Sequence, residues 1–188
     1  IDVKGVNKAI PNLIPSFNIM LADSYAKCSN RVEGKEFILT TKLDGSRICV
    51  IKKDDKIILK TRQNKLYEGL IEIEEDFKDL PNGVYDGELL AKGVFENSAE
   101  QYKETMKISR KKGMKKGLKM VCYDYIENIE DFYNGKDLTE CINRKNKLKE
   151  ILSINKENIE YLVNNLHHSD LPEKLLIKNR QYLNSEDD

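Results

Sequence analysis

The chain has 188 residues, of which 39% are hydrophobic and 34% are charged, and its 32 basic and 32 acidic side chains leave a formal net charge of zero. This balance fits one domain with an apolar core and argues against nucleic-acid binding driven by net charge alone. No apolar run approaches the ~18 residues that a membrane helix needs, and no secretory signal is visible. We therefore expect a cytoplasmic protein that makes no membrane contact.

The first half of the chain has the pattern of short strands joined by tight turns. Asp44-Gly45 stands between two runs of β-forming residues and predicts a hairpin. Apolar residues at helical spacing from Leu66 to Leu80 predict a helix, which Pro-Asn-Gly ends. Tight turns favour antiparallel pairing of the strands that they join. The strands predicted here are 36–43, 46–53, 57–62 and 84–91.

The second half alternates helices with one buried strand. Ser98 and Gln101 have the spacing of a capping box, which predicts a helix running to about Lys111. The apolar segment 118–126 predicts a buried strand. The complete pattern indicates an α+β fold with antiparallel sheets flanked by helices. Further helices are predicted between Leu138 and Leu152, around 156–166 and over 171–183.

Lys42 and Arg47 bracket the predicted Asp44-Gly45 turn. A lysine at a strand end is ordinarily solvated. Lysine is also a suitable nucleophile for an electrophilic phosphorus or carbonyl if its amine, with an ordinary pKa of about 10.4, loses its proton. Partial burial or a nearby cation favours the neutral amine, and an arginine across the turn could fix a ligand. A solvated lysine and a nucleophile at the rim of a cleft both fit these residues.

Further motifs follow in an order that resembles the covalent nucleotidyltransferases, which comprise DNA ligases, RNA ligases and mRNA capping enzymes. Residues 42–47 match the Lys-x-Asp-Gly-x-Arg signature, and 60–65 resemble the Ser/Thr-Arg element of polynucleotide ligases. Residues 85–90 resemble motif III, and 120–126 resemble motif IIIa. Residues 142–152 resemble the Arg-containing helix of small bacterial and phage ATP-dependent DNA ligases. The resemblance implies an ATP-grasp-like nucleotidyltransferase (adenylation) domain and a monomer.

The resemblance also implies a role for each matching residue. Lys42 would attack the α-phosphorus of ATP and hold AMP as a phosphoramidate, with Mg²⁺ or Mn²⁺ as the divalent cation. Glu88 would bind the ribose hydroxyl or help place the metal, and Tyr123 would stack on adenine. The partner would be nicked double-stranded DNA in replication, repair and recombination. The remaining nucleotide-binding residues would be Thr40 and Thr41 at the adenine, Arg47 at the ribose and Arg62 at the 5′-phosphate of the nick.

The sequence departs from the family pattern after residue 155. The metal-binding Glu-Gly of motif IV is missing there, and the Glu68-Gly69 pair comes too early, so we interpret Glu68 as a helix-start residue and Lys178 as a solvated helix residue. We therefore expect 1–188 to be one C-terminally truncated adenylation domain without an OB-fold domain, which seals nicks poorly alone. An RNA ligase, a capping guanylyltransferase and a non-catalytic nucleic-acid-binding fragment remain as alternatives.

The segment 106–119 holds seven basic residues and no acidic residue. Such a run is most often a solvated face. Here it lies between motifs III and IIIa of a sequence that resembles a DNA ligase, and binding of a duplex requires cations at its phosphates. A solvated face and a DNA-facing surface therefore explain the run equally well.

Overall fold

The computed structural model describes residues 3–10, 13, 19–20, 24, 27, 37–135, 137, 139–154, 156–162 and 165–167. The chain divides into two units, one formed by 1–20 with 42–162 and the other by 21–41 with 163–188. The described strands are β1 (Phe37–Leu39), β2 (Ser46–Lys53), β3 (Lys56–Thr61), β4 (Gly83–Ala91), β5 (Leu118–Ile126), β6 (Ile159–Tyr161) and β7 (Asn165–His167). The described helices are α1 (Val3–Ala9), α2 (Ile71–Phe77), α3 (Ser98–Ser109), α4 (Ile129–Asn134) and α5 (Cys141–Ile151).

A mixed five-stranded sheet forms the centre of the first unit, in the order β3-β2-β4-β5-β6. The pair β2–β3 is antiparallel, as its tight turn predicted, and the pairs β2–β4 and β4–β5 are antiparallel too, whereas β6 is parallel to β5. In the second unit, β1 and β7 pair antiparallel. None of the described helices is long and apolar enough to cross a membrane.

The larger apolar core lies on one face of the five-stranded sheet. Because side chains alternate between the faces of a strand, Ile48 and Val50 of β2 point to the same side, where they belong to one cluster with Phe77 of α2 and Leu148 of α5. Full burial of each such side chain contributes about 1.5–3 kcal/mol. The opposite face carries a smaller cluster built from Cys49, Ile51, Val84 and Phe132. Arg47, Asp86 and Glu88 also lie on this second face, beside the smaller apolar cluster.

The predicted hairpin at Asp44-Gly45 is wrong. β2 pairs with β3 and β4, and residues 41–44 have no regular secondary structure, so Lys42 does not end a strand. Neither Asp44 nor Gly45 has the positive φ that a type I′ turn requires. Gly45 is needed for close packing instead, because a Cβ there would lie 2.1 Å from the carbonyl oxygen of Leu89. Gly45 therefore lets the start of β2 approach the backbone of β4 closely.

The helix predicted from Leu66 begins later than expected. The backbone N–H of Tyr67 donates to the carbonyl of Leu59 at 2.8 Å, and Leu66 bridges to β3. The chain therefore continues beside β3 before α2 begins at Ile71. Glu68, predicted as a helix-start residue, lies outside the helix.

The predicted capping box of Ser98 and Gln101 is also wrong, although the helix is confirmed. The side chain of Asn97 caps α3 by accepting the backbone N–H of Glu100 at 3.0 Å. Gln101 instead donates its side-chain amide to the carbonyl of Ala91 at 3.0 Å. The cap therefore lies one residue earlier, and Gln101 ties α3 to β4.

The helix predicted around 156–166 is replaced by β6 and β7. The backbone N–H of Asn158 donates to Asp76 at 2.7 Å, and its carbonyl accepts the N–H of Met120 at 2.8 Å. These long-range hydrogen bonds hold the segment at the edge of β5, so pairing with the sheet outweighs the local helical pattern. The predicted helix over 171–183, which includes Lys178, lies outside the described residues.

Candidate active site

The second face of the sheet brings together side chains from three of the recognised motifs. The register of β2 and β4 places Arg47 opposite Glu88. Asp86 lies two residues from Glu88 on the same face, at the diagonal position that long side chains reach across a strand pair. From β5, the ring of Tyr123 lies with its centroid 5.3 Å from Cζ of Arg47. Arg47 therefore contacts side chains of both motif III and motif IIIa.

Arg47 is held rigidly by two partners. Its Nε donates to Oδ1 of Asp86 at 2.9 Å, its Nη2 donates to Oδ2 of the same carboxylate, and Nη2 also donates to the carbonyl of Met20 at 2.8 Å. Burial alone lowers the pKa of Arg47, but the hydrogen bond and charge of Asp86 outweigh it and leave that pKa raised. Arg47 is thus a fixed cation. Sequence reasoning missed Asp86, although it is the first residue of the Asp-Gly-Glu motif.

Glu88 is a half-buried carboxyl beside two cations. Burial raises its pKa to about 7, while the charges of Arg47 and Lys42 and the backbone N–H of Gly45 act in the opposite direction. Glu88 therefore changes its charge near neutral pH. An arriving cation would favour the ionised form, because an opposite charge nearby lowers the pKa of a carboxyl.

Lys42 lies on the open side of this cluster. Its side chain is 78% exposed, and its Nζ forms an ion pair with Oδ1 of Asp44, two residues along the chain. The charge of Lys42 acts on Glu88, as the pKa of that carboxyl records. The amine is therefore accessible from solvent.

Tyr123 lies at an irregularity between β4 and β5. The register shifts beside Gly87, so Tyr123 has no cross-strand partner in the ladder. Its carbonyl accepts instead a hydrogen bond of 2.7 Å from Nζ of Lys145 on α5. Burial raises the pKa of the Tyr123 hydroxyl, which keeps that group neutral. The irregularity turns the ring toward Arg47 and depends on α5 for its backbone partner.

A buried ion pair fastens α5 to the same place. Nε and Nη2 of Arg144 donate to the two carboxylate oxygens of Asp124 at 2.9 and 3.0 Å. The side chains of Arg144 and Asp124 are only 14% and 5% exposed. Oδ1 of Asp124 also accepts the backbone N–H of Tyr125 at 2.9 Å. Asp124 therefore has a structural partner. That partner is on α5, the helix that resembles the Arg-containing helix of the ligases, so α5 holds in place the residue next to Tyr123.

A sequence profile of the family described as "ATP dependent DNA ligase domain" matches residues 19–175. The chain belongs to this family. The match confirms the predicted DNA ligase family, and the described α+β fold is the one expected for its nucleotidyltransferase domain. No curated protein matches the chain.

Solved structures of DNA ligases share this fold. The chain is 21% identical to a structure named Pmar-Lig_Pre, with a TM-score of 0.73, over 98% of this chain and 44% of that one. It is 16% identical to a structure of a Lig E DNA ligase, with a TM-score of 0.56, over 87% of this chain and 57% of that one. It is 16% identical to the ATP-dependent DNA ligase of bacteriophage T7 in complex with ATP, with a TM-score of 0.51, over 85% of this chain and 57% of that one. The chain thus spans about half the length of these ligases.

The other nucleotide-binding residues predicted from the sequence are Thr40, Thr41 and Arg62. Thr40 is half-buried and Thr41 is exposed, and both belong to the second unit. Arg62 is exposed in the turn after β3. Arg62 follows Thr61, which pairs with Ile48, so its backbone lies near that of Arg47. Their nucleotide-binding roles remain predictions.

The described residues offer a divalent cation one carboxylate, not a complete cage. Among them, no group of three or more His, Cys, Asp or Glu side chains could hold a metal ion. Mg²⁺ in phosphoryl-transfer sites is commonly held by one or two carboxylates together with substrate phosphates. Asp86 is engaged by Arg47, which leaves Glu88 as the available carboxylate of motif III. The donor set therefore fits a cation that is bound together with a nucleotide.

Proposed function

We propose that this chain carries the adenylation site of an ATP-dependent DNA ligase. The observation that supports it most directly is the cluster of Arg47, Glu88 and Tyr123 on one face of the sheet, where the charge of the exposed Lys42 also acts on Glu88. A nucleophile, a carboxyl, a fixed cation and an aromatic ring are the groups that attachment of a nucleotide to lysine requires. The family membership supports ATP as the donor.

The proposed reaction begins with attack of the Lys42 amine on the α-phosphorus of ATP. A P–N bond forms, the bond between the α-phosphorus and the bridging oxygen breaks, pyrophosphate leaves, and the amine loses a proton. The covalent lysyl-AMP stores the activation of ATP until the acceptor arrives. In the protein that contains this chain, AMP then passes to the 5′-phosphate of a nick, and the 3′-hydroxyl displaces AMP to form the phosphodiester.

The surrounding side chains have distinct proposed roles. Arg47, held by Asp86, binds the ribose. Tyr123 stacks on the adenine ring, and Thr40 and Thr41 contact the edge of that ring. Arg62 binds the 5′-phosphate, for which a planar guanidinium is well suited. Glu88 binds the ribose hydroxyl or, with phosphate oxygens, a Mg²⁺ or Mn²⁺ ion. Such an ion would neutralise charge at the α-phosphate.

Transfer of label from ATP to the protein tests this proposal. With α-labelled ATP and Mg²⁺, the chain should acquire an acid-labile label that survives denaturing electrophoresis, whereas γ-labelled ATP should leave none. Lys42→Ala should abolish labelling without loss of stability, because its exposed side chain contributes little to packing. Lys53→Ala is the matched control, since Lys53 is an exposed lysine at the far end of β2. Labelling of the Lys42 variant at the wild-type level would show that Lys42 is not the nucleophile.

The same assay separates the ligase from its alternatives. Labelling by α-labelled GTP in preference to ATP would indicate a capping guanylyltransferase. Release of the label on nicked RNA but not on nicked DNA would indicate an RNA ligase. Absence of labelling by any nucleotide would indicate a non-catalytic fragment.

A further inference from the structure

β5 has one residue more than the stretch of β4 that it faces. Asp86 and Gly87 are neighbours on β4, whereas their partners on β5 are residues 124 and 122. Tyr123 lies between these partners and is the extra residue of a β-bulge. A bulge bends its strand, leaves the extra residue unpaired and changes the direction of a side chain. The position of the Tyr123 backbone therefore determines where its ring lies.

β4 packs closely against β5 at this bulge. A Cβ on Gly87 would lie 2.6 Å from the carbonyl oxygen of Val121 and 3.1 Å from Cα of Cys122. No side chain fits at the shorter of these distances, so the approach of the two strands requires glycine at position 87. The backbone that precedes Tyr123 is thus fixed by β4, and the extra residue takes its hydrogen-bond partner from another element.

α5 supplies that partner through Lys145. Nζ of Lys145 donates to the carbonyl of Tyr123 at 2.7 Å, and the lysine side chain is partly buried. A backbone carbonyl away from water needs a donor, and a hydrogen bond from an ammonium is stronger than one from a neutral N–H. The ion pairs described for α5 are those of Arg144 and Lys147. The ammonium of Lys145 therefore serves the bulge rather than an acidic side chain.

Lys145 donates from a helix that is fixed on both sides of it. The preceding residue, Arg144, makes two hydrogen bonds to the carboxylate of Asp124. Leu148, three residues after Lys145 and on the same side of the helix, is 1% exposed and belongs to the larger apolar core. The donor is thus held in place before any ligand arrives, and the carbonyl of Tyr123 is kept at a set distance from α5.

We propose that Lys145 is a positioning residue, which holds the Tyr123 ring in the place where adenine binds. This role rests on the proposed function, in which the ring stacks on adenine and Arg47, whose Cζ is 5.3 Å from the ring centroid, binds the ribose. Stacking depends on the distance and angle between the rings, so a shift of the backbone at the bulge weakens the binding of ATP. In this role Lys145 does not touch the reacting atoms, and the rate at saturating ATP depends little on it.

Two other roles for the same lysine make different predictions. If Lys145 only stabilises the fold, its loss lowers the free energy of unfolding and leaves the use of ATP unchanged. If its ammonium contacts the phosphates of ATP, its loss weakens the use of ATP whether or not the Tyr123 ring is present. The dependence on Tyr123 therefore distinguishes positioning from both.

The test measures the initial rate of labelling by α-labelled ATP over a series of ATP concentrations. Lys145→Met keeps the apolar stem of the side chain and removes the donor. It should raise the ATP concentration for the half-maximal rate, by no more than the roughly 5- to 150-fold that corresponds to complete loss of base–aromatic stacking, with little change in the maximal rate. Lys145→Arg retains a cationic donor and should recover most of the loss. Lys149→Met is the matched control, since Lys149 is an exposed lysine one turn later on α5.

The same substitution is also made in the Tyr123→Ala variant. The effects of two residues that act through one interaction are not additive. If Lys145 acts through the Tyr123 ring, Lys145→Met should therefore raise the ATP requirement of Tyr123→Ala no further. Thermal unfolding of every variant shows whether it is folded.

Each outcome bears on Lys145 or on the proposed function. A higher ATP requirement in Lys145→Met, with rescue by Lys145→Arg and no added effect in Tyr123→Ala, supports positioning. An ATP requirement at the wild-type level overturns it, as does an equal rise in Lys149→Met or an unfolded Lys145→Met chain, which would assign the lysine to stability alone. A further rise in the Tyr123→Ala background overturns it in favour of direct contact with ATP. Failure of the wild-type chain to accept label overturns the proposed function, and the role of Lys145 in that function with it.

Discussion

Replacement of Arg144 by methionine should destabilise the chain strongly. The variant keeps the apolar stem of the side chain and removes the guanidinium that pairs with Asp124. The side chain of Asp124 is only 5% exposed, so its charge would be left without a partner in a nearly dry environment. Removal of one partner of a buried ion pair costs about 3–5 kcal/mol. Because a domain of this size is stable by about 5–15 kcal/mol, urea unfolding followed by circular dichroism resolves such a loss.

Two controls show whether the buried charge is the cause. The double variant Arg144→Met/Asp124→Asn should recover much of the loss, because it removes the charge and keeps an oxygen for the N–H of Tyr125. Lys147→Met changes an exposed lysine of the same helix, 50% exposed, and should shift the free energy of unfolding by about 0.5 kcal/mol or less.

Two results would refute this reasoning. One is a loss below about 1 kcal/mol in Arg144→Met, the range of an exposed pair. The other is a double variant as unstable as the single variant. A folded Arg144→Met chain should also need more ATP for half-maximal labelling, since Asp124 is next to Tyr123.

Two further predictions concern the proposed nucleotide site. Tyr123→Ala should weaken use of ATP in the labelling assay by about 1–3 kcal/mol, as expected for base–aromatic stacking, and Tyr123→Phe should be nearly silent; an equally impaired Phe variant would assign the effect to the hydroxyl. Burial raises the pKa of Glu88 from 4.5 to about 7, so the folded chain binds this proton more tightly than the unfolded chain, and the stability from it is lost as the pH rises through this window. The free energy of unfolding of Glu88→Gln should therefore rise relative to that of wild type as the pH increases between these values, with no further change above them. Urea unfolding at pH values across the window measures this difference. If the stability of both proteins depended on pH in the same way, the prediction would be contradicted.

Strands with long apolar runs were predictable from local sequence. The predicted strand 118–126 has the bounds of β5, and 84–91 differs from β4 by one residue. The glycine at position 45 was misinterpreted, because a sequence does not distinguish a glycine needed for a turn from one needed for close packing. The segment 156–166 has a local helical pattern, and pairing with β5 and with β1 makes parts of it strands.

The candidate site was predictable in part for a similar reason. The ordered motifs led to Lys42, Arg47 and Glu88, which the fold brings together. Asp86 was missed, because the Asp-Gly pair that begins this short motif gives no sign of the partner of Asp86, which is 39 residues earlier. The sequence suggested that Asp124 serves the neighbouring backbone, as its hydrogen bond with the N–H of Tyr125 confirms, but it gave no sign of the ion pair with Arg144 on a separate helix.

The chain segment that follows β3 also affects how separate copies of the protein behave. β3 lies at one edge of the sheet, and an unprotected edge strand is a template on which a second chain can add a strand. Here Tyr67 donates its N–H to the carbonyl of Leu59 at 2.8 Å, and Thr61 donates to the carbonyl of Lys65 at 2.8 Å. The returning segment thus occupies the later part of the edge, and the exposed Lys56 begins the part that remains. The later part of the β3 edge is thereby closed to the addition of a strand from a second copy of the protein.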